Sequence, residues 1–469
     1  MSGLINTGDK RFDVNVPVLV IGAGACGLTA ALKASDLGAD VMVLERDPSP
    51  FGSTSMSSGF IPAPSTQLQK SMGVKDSSAL FSADLRKKAH EKNDPALVQI
   101  ASENIGPALD WLAADHGLEW VLLDDFLYPG HTAHRMHAVP EKTGEALLGR
   151  LLAATERAEI PVVTSALVTA LFTSGDTVDG VQVTRPDGQT EDIGCSALIL
   201  ACNGYGANAD LVQKHIPLMA AAPYYGHEGN TGNALLWGQA LGARTQHLSG
   251  CQGHGSLAHP HNILITWALM MEGGIQVNLR GERFSNEHVG YSEQAVPVLE
   301  QPEGVAWCIF DERIFAIATK FPDFMQAFDV GAVKSGRTVA DLAIATGLPT
   351  NALSETLTKT AALAEKSDSD HFGRDFSTKP TLAGPFYAVK VTGALFHTQG
   401  GLMIDHSARV VRLDGTPLPN LLAGGGAACG VSGPELSGYL SGNGLLSAIS
   451  FGMLAGETAG KSISSPVAH

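Results

Sequence analysis

The chain has no closely paired cysteines of the kind that hold iron–sulfur clusters or haem. Its six cysteines, at 26, 195, 202, 251, 308 and 429, form neither a CxxC nor a CxxCH. That spacing offers no attachment point for haem and no ligand set for an iron–sulfur centre, and it fits free thiols in a reducing compartment. Basic charge is also scarce. Lys and Arg number 31 against 47 Asp and Glu, a formal net charge of −16. Such a balance argues against nucleic acid or an anionic membrane surface as a partner. The opening MSGLINTGDKRFDVNVP lacks the apolar core of a signal peptide. The longest charge-free stretch near the end, 436–456, is broken by Gly, Ser and Asn, so no membrane span is expected. No internal repeat or low-complexity segment is present. The expectation is a cytoplasmic location.

What is present is an apolar fraction of 44%, a mean hydropathy of +0.08 and 53 glycines. These suit a well-packed soluble protein whose backbone approaches a large ligand in several places. At 469 residues the chain exceeds the size of one core, so two lobes are expected. Residues 18–32 read VLVIGAGACGLTAAL. An apolar strand runs into Gly22, Gly24 and Gly27, and a helix follows. That pattern lets the backbone approach a pyrophosphate while the positive end of the helix faces it. A second apolar run, VMVLE, ends at Glu45, where an acid accepts hydrogen bonds from a ribose. Strand, helix, second strand and acid are in register, which points to a dinucleotide site.

The small polar loop 50–60, PFGSTSMSSGF, follows that acid and is placed to wrap a pyrophosphate or to be an ordinary surface loop. Helical patterns over 78–157 give way to short β-type runs with a Pro-Asp-Gly turn, then to a buried strand, SALILACNG. After 385 short strands return, followed by NLLAGGGAACG and a last helix behind a Gly-Asn-Gly turn, whose N–H groups offer a second anion-binding end. The expected fold is α/β: a Rossmann-type lobe from 1–225 and 376–469, with an α+β capping domain, 226–375, inserted between them.

These pieces resemble the flavoprotein family that includes fumarate reductases, soluble succinate dehydrogenase-like enzymes and 3-ketosteroid dehydrogenases. The matching stretches include VLVIGAGACGLTAAL, STSMSSG, LILACNGYGAN, CQGHGSL, EGGIQVNLRGERFSNE, HTQGGLMID and SGNGLLSAISFG. The resemblance implies FAD, with its ring at the seam between lobe and cap. The implied cofactor-binding set is Gly22, Gly24, Ala25, Cys26, Gly27, Glu45 and Arg46. It continues with Ser53, Thr54, Ser55, Ser58 and Gly59, then Ala201, Gly204, Gly425, Gly442, Asn443 and Leu445. Family members with covalent flavin carry a His in the loop after the acid. STSMSSG has none, so non-covalent FAD is expected.

The departures from the family narrow the chemistry. Fumarate reductases clamp and protonate a dicarboxylate with arginines. The position after RFSNE holds Tyr291 here, the position before the final Gly-Asn turn holds Tyr439, and the acid–arginine relay after LIT is replaced by Trp267 and Met270. A dicarboxylate would lose its bidentate partners. Tyrosines at both positions are similar to the 3-ketosteroid dehydrogenases, and the order Tyr439, Ser441, Gly442 is closest to the branch acting at the ring's 4 position. The resemblance implies a desaturase of a cyclic ketone, a 3-oxosteroid first. Tyr439 with a backbone N–H near Ser441 would bind the carbonyl oxygen, Tyr291 would take the α-proton, and the flavin would accept the hydride. A phenol ordinarily titrates near pH 10, so using one as base at pH 7 costs about 4 kcal/mol unless its surroundings help, and an alkaline optimum is expected.

Tyr128 is a further site candidate. His254, His397 and Gly400 match substrate-binding positions, with structural hydrogen bonding the alternative for the two histidines. Two readings stay open beside the steroid one. A small cyclic ketone or keto acid, such as cyclohexanone or 4-oxocyclohexanecarboxylate, would use His397 with Arg135 or Arg374 for its carboxylate. A fumarate- or urocanate-type reductase is the other. A flavin-binding protein without activity is disfavoured by the paired tyrosines. The cluster His131, His134, His137 lacks a carboxylate or cysteine to complete a metal site, and no metal is assigned there or at His259 and His261. The electron acceptor is left unassigned.

Overall fold

The computed structural model describes residues 3–124 and 127–464, which form two units. The first comprises 1–216, 226–251 and 397–469; the second comprises 217–225 and 252–396.

In the first unit the apolar run ending at Ile21 forms strand Val14–Ile21. It pairs in parallel with Val41–Leu44 on one side and with Thr190–Leu200 on the other. The tip of Thr190–Leu200 pairs in parallel with Pro417–Ala423, so the C-terminal segment completes the same sheet. Near its start, Thr190–Leu200 instead pairs antiparallel with Thr177–Thr184. These central strands read as continuous apolar runs because helices cover them. Helix Ala25–Asp36 leaves the first strand through the glycine turn, and the final helix Asn443–Ser464 lies against it. Close approach sets that pairing. A β-carbon at Gly452 would fall 2.5 Å from the Cys26 carbonyl oxygen, and one at Gly456 would fall 2.2 Å from that of Ala30.

The second unit is built on an antiparallel sheet in the order Ile263–Leu264, Cys251–Ala258, Phe386–Thr398, Val305–Asp311, Ile275–Val277. Strand Val305–Asp311 is buried along its whole length because both of its faces are covered. Ala306, Cys308 and Phe310 join a core with Ile314 and Phe324, whereas Trp307 and Ile309 join one with Leu342 and Leu353. Residues 376–396 belong with this unit rather than with the lobe to which the sequence reading gave them, because Phe386–Thr398 pairs with Val305–Asp311. Among the described residues no helix is long and apolar enough to cross a membrane.

Candidate active site

The glycine turn of the first unit is shaped for a ligand that meets backbone. Gly22 has φ +107°, and a β-carbon at Gly27 would lie 1.9 Å from the Gly22 carbonyl oxygen, so both positions require glycine. Gly24 differs: a β-carbon there would meet only Thr54 Oγ1, at 3.4 Å. Gly24 is also the N-cap of helix Ala25–Asp36 and gives it no capping side chain, and the first turn carries no acid. An uncapped helix start beside open backbone suits a phosphate, so these residues fit FAD. Ala25 N–H donates to Thr54 Oγ1 at 3.0 Å, which ties the polar loop to the turn. Glu45 is buried; its carboxylate accepts the N–H of Ala23 at 2.9 Å and that of Asp47 at 3.0 Å. The acid at the strand tip therefore also braces the turn.

Other members of the expected cofactor set have varied surroundings. Asn203, absent from that set, donates to Ser53 Oγ at 2.6 Å and its side-chain oxygen accepts the Gly204 N–H at 2.8 Å. Arg46 Nε lies 3.5 Å from Asp47. Gly59 packs on the Thr143 carbonyl, and the Ala201 carbonyl borders Gly22. Ser55 is half-buried and Ser58 exposed. Cys26 packs against Gly424, Gly425 and Gly452, and burial pushes its thiol up to about 12, so it is an inert packing group.

At the start of the final helix the first unit brings His397 and Tyr439 together, with ring centroids 5.4 Å apart and edge to face. Tyr439 is buried, which pushes its pKa up, while the backbone amides of Gly444 and Gly442 hydrogen-bond to its oxygen and oppose the shift. Gly444 leaves the space between the two rings: a β-carbon there would lie 3.2 Å from His397 Nε2 and 3.7 Å from the Tyr439 oxygen. Gly442, φ +91°, packs on Pro62, and Leu445 is buried. Burial pushes His397 down to about 4, so its ring is neutral at neutral pH. His397 Nδ1 is 2.8 Å from the Gln399 amide, the other arm of which is 2.6 Å from Ser432 Oγ. Gly400 lies against the backbone of His247 and Leu248.

The second unit brings His254 and Tyr291 together by stacking. The His254 ring lies between Tyr291, at 5.0 Å and 24°, and Phe396, at 5.2 Å and 20°, with Trp267 edge-on at 5.7 Å. Burial pushes His254 down to about 3. Its Nδ1 accepts the Ser256 N–H at 3.2 Å, so the proton of the neutral ring sits on Nε2. The Gly255 N–H donates to the Tyr291 carbonyl at 2.9 Å and fixes the tyrosine's loop to the strand. The RFSNE segment anchors the other side. Glu287 pairs with Arg283 at 2.5 Å and with Arg374 at 2.8 Å, and accepts the Gln276 N–H at 2.9 Å. Burial works against its charge, yet Arg374 and Arg283 hold it down at about 2. The Trp267 indole N–H is buried with no hydrogen-bond partner among the described residues.

The two arginines offered to a substrate carboxylate are already spent. Arg135 is buried, bidentate to Asp76 at 2.8 and 2.9 Å and bonded to Asp84 at 2.5 Å. Arg374 is buried on Glu287. The histidines near Arg135 are structural as well: His131 Nε2 donates to the Ser441 carbonyl at 3.1 Å, and His137 bridges Thr66 and the Arg135 carbonyl. Tyr128 packs edge-on to Phe60 at 6.1 Å, and burial pushes its pKa up to about 12. His259 and His261 are exposed. Among the described residues no three His, Cys, Asp or Glu side chains are grouped as a metal site needs.

Residues 17–445 match a family described as FAD binding domain. The NADH:fumarate oxidoreductase of Klebsiella pneumoniae is 30% identical over 429 residues, covering 90% of this chain and 45% of its own length. This chain thus spans less than half of that relative. A 3-oxosteroid 1-dehydrogenase of Mycobacterium tuberculosis is 25% identical over 539 aligned positions, covering 90% of this chain and 94% of its own. The solved open conformation of a flavocytochrome c3 fumarate reductase superposes with a TM-score of 0.83 at 28% identity, covering 97% of this chain and 79% of that one. On this match the chain belongs to the FAD binding domain family, and FAD is its cofactor.

Proposed function

We propose that the enzyme desaturates the carbon–carbon bond next to the ketone of a neutral cyclic substrate, a 3-oxosteroid being the first candidate. The observation that carries this reading is the fate of the guanidinium groups. Arg135 and Arg374 are consumed by buried carboxylates, and by the family resemblance Tyr291 and Tyr439 take the places of the arginines that fumarate reductases use. A dicarboxylate has no free bidentate partner among these residues. FAD, when bound, supplies the two-electron oxidant for this chemistry.

In this reading the Tyr439 hydroxyl donates to the carbonyl oxygen, and the amides at the start of the final helix, already on the Tyr439 oxygen, strengthen it as a donor. The acidified α-carbon then gives its proton to Tyr291 as its phenolate, the phenol having first lost its own proton to solvent, which is why an alkaline optimum is expected. His254, neutral and stacked on the Tyr291 ring, keeps positive charge off that face and holds the ring's plane. A small keto acid fits less well, because Arg135 and Arg374 are unavailable to its carboxylate. Reduction of fumarate or urocanate, the activity in the names of several relatives, meets the same shortage of free cations. Anaerobic mixing of the FAD-loaded enzyme with 3-oxosteroids, cyclohexanone and 4-oxocyclohexanecarboxylate tests the reading. Bleaching of the flavin by a neutral ketone is expected. Bleaching by none of them, with rapid reoxidation of the reduced enzyme by fumarate, would overturn it.

A further inference from the structure

His397 ends a buried relay whose proton count can be closed. From His397 Nδ1 it runs to the Gln399 amide, to Ser432 Oγ at 2.6 Å, and on to the Asn443 amide at the head of the final helix. An amide's oxygen and nitrogen are alike in outline, so the direction of each bond follows from its neighbours. Asn443 has only one orientation that satisfies it. With its nitrogen toward the Leu440 carbonyl at 3.3 Å, its oxygen accepts from the Leu440 N–H at 3.3 Å and from Ser432 Oγ at 2.9 Å; reversed, its oxygen faces only acceptors.

That orientation commits the single hydroxyl proton of Ser432 to Asn443. Ser432 then has only lone pairs for Gln399, so the Gln399 arm facing it must be the NH2. The opposite arm, facing His397, is the carbonyl. A carbonyl 2.8 Å from Nδ1 requires a proton on Nδ1. The Thr398 carbonyl, 3.4 Å from the same nitrogen, is a second acceptor and agrees with this assignment. The ring is neutral, so its other nitrogen is bare, and Nε2 makes no hydrogen bond among the described residues. It borders the gap at Gly444 beside the Tyr439 oxygen.

We infer that Gln399 is a positioning residue which, oriented by Ser432 and Asn443, holds His397 as the Nδ1–H tautomer and so presents a hydrogen-bond acceptor, not a donor, next to Tyr439. The corner then offers one acceptor and one phenol. A ketone presents a single oxygen to the Tyr439 hydroxyl, and a neutral O–H can also donate to Nε2, whereas the second oxygen of a carboxylate would meet the lone pair there. The consequence for ligands rests on taking this end of the unit as the substrate site, as proposed above; the tautomer does not.

Nitrogen-15 NMR of the FAD-loaded full chain, labelled at its histidine rings, reads the tautomer directly, with the His397→Gln variant identifying the signal. The expected result is a protonated Nδ1 and a bare Nε2 on His397 at neutral pH. Ser432→Ala, which frees Gln399 to turn, is expected to convert this to a mixture, and Ser432→Thr, which keeps the hydroxyl, to restore it. A proton on Nε2 in the unaltered enzyme would overturn the inference. So would a signal unmoved by Ser432→Ala. Titration of the flavin spectrum with phenol and with benzoate checks the ligand consequence: benzoate is expected to bind at least about tenfold more weakly, and equal binding would remove that consequence. An enzyme that no ketone bleaches, yet shows the Nδ1–H signal, would end the ketone proposal and leave the tautomer standing.

Discussion

Each unit brings a tyrosine and a histidine together, but by different forces. In the first, Tyr439 and His397 meet edge to face, the histidine fixed by a chain of hydrogen bonds and the tyrosine oxygen by backbone amides. In the second, His254 lies flat between Tyr291 and Phe396, and the pair is held by ring stacking in an apolar wall. Hydrogen bonds fix direction, so the first pair is suited to reading an oxygen atom at a set angle. Stacking fixes the plane of the ring, which suits a group that must meet a carbon-bound proton face on. The proposed function would thus give the same residue types to recognition in one unit and to proton transfer in the other.

Breaking the second pair should have the larger effect. Tyr291→Phe keeps the stack on His254 and removes the hydroxyl. Turnover with a ketone that bleaches the enzyme is expected to fall about 10³-fold with FAD retained, because the proton acceptor is lost. A Tyr291→Phe enzyme of full activity would assign the ring to packing. Next in size is the support beneath it. Glu287→Gln leaves Arg374 and Arg283 buried with less negative charge, and a loss of about 3 kcal/mol in stability is expected, read as a lower midpoint in urea. Tyr439→Phe sharpens the contrast between the units: removal of one donor to a developing oxyanion is expected to cost about 10²-fold in kcat. Its effect should fall on kcat more than on KM if the bond strengthens in the transition state, and on KM alone if the tyrosine only binds.

The parts of the fold that could be read in the sequence were those whose partners are local. Strand, glycine turn and helix over 18–32 are contiguous, and Glu45 follows at the next strand tip, so spacing alone placed them. The tyrosines at 291 and 439 stood out because they sit inside short motifs that otherwise match. Arg135 looked available because its carboxylates are 59 and 51 residues away, at Asp76 and Asp84, and no local pattern joins them. Gln399 was hidden for a similar reason. It lies inside HTQGG, but its meaning depends on Ser432, 33 residues on, and on Asn443 beyond that. The membership of strand Phe386–Thr398 was likewise decided by pairing with a strand about 80 residues earlier, which composition does not reveal.

The smallest expected effect separates the two kinds of histidine environment from the carboxylate network. Burial pushes His131, His137 and His397 of the first unit down to about 4 and His254 of the second to about 3. A histidine whose folded pKa lies below its unfolded value near 6.5 binds fewer protons when folded. It therefore adds stability that is fully present above about pH 6.5 and lost as pH falls toward its folded pKa, at up to about 1.4 kcal/mol per pH unit for each group. Glu287 is held down at about 2, so its stabilisation is lost mostly at more acid pH, below the window in which the histidines titrate. Denaturation midpoints measured from pH 7.5 to 4.5 should thus fall mainly through the histidines. Replacing His137, which bridges Thr66 and the Arg135 carbonyl in the first unit, should flatten the slope by one proton's worth, as should His254→Phe in the second. The second substitution keeps a flat ring between Tyr291 and Phe396 and loses one hydrogen bond, from the Ser256 N–H, so it should lower stability at pH 7.5 less than His137→Phe, with which two hydrogen bonds go. Equal losses at pH 7.5 from both substitutions would mean that stacking and hydrogen bonding hold the two rings alike, and the contrast between the units would fail.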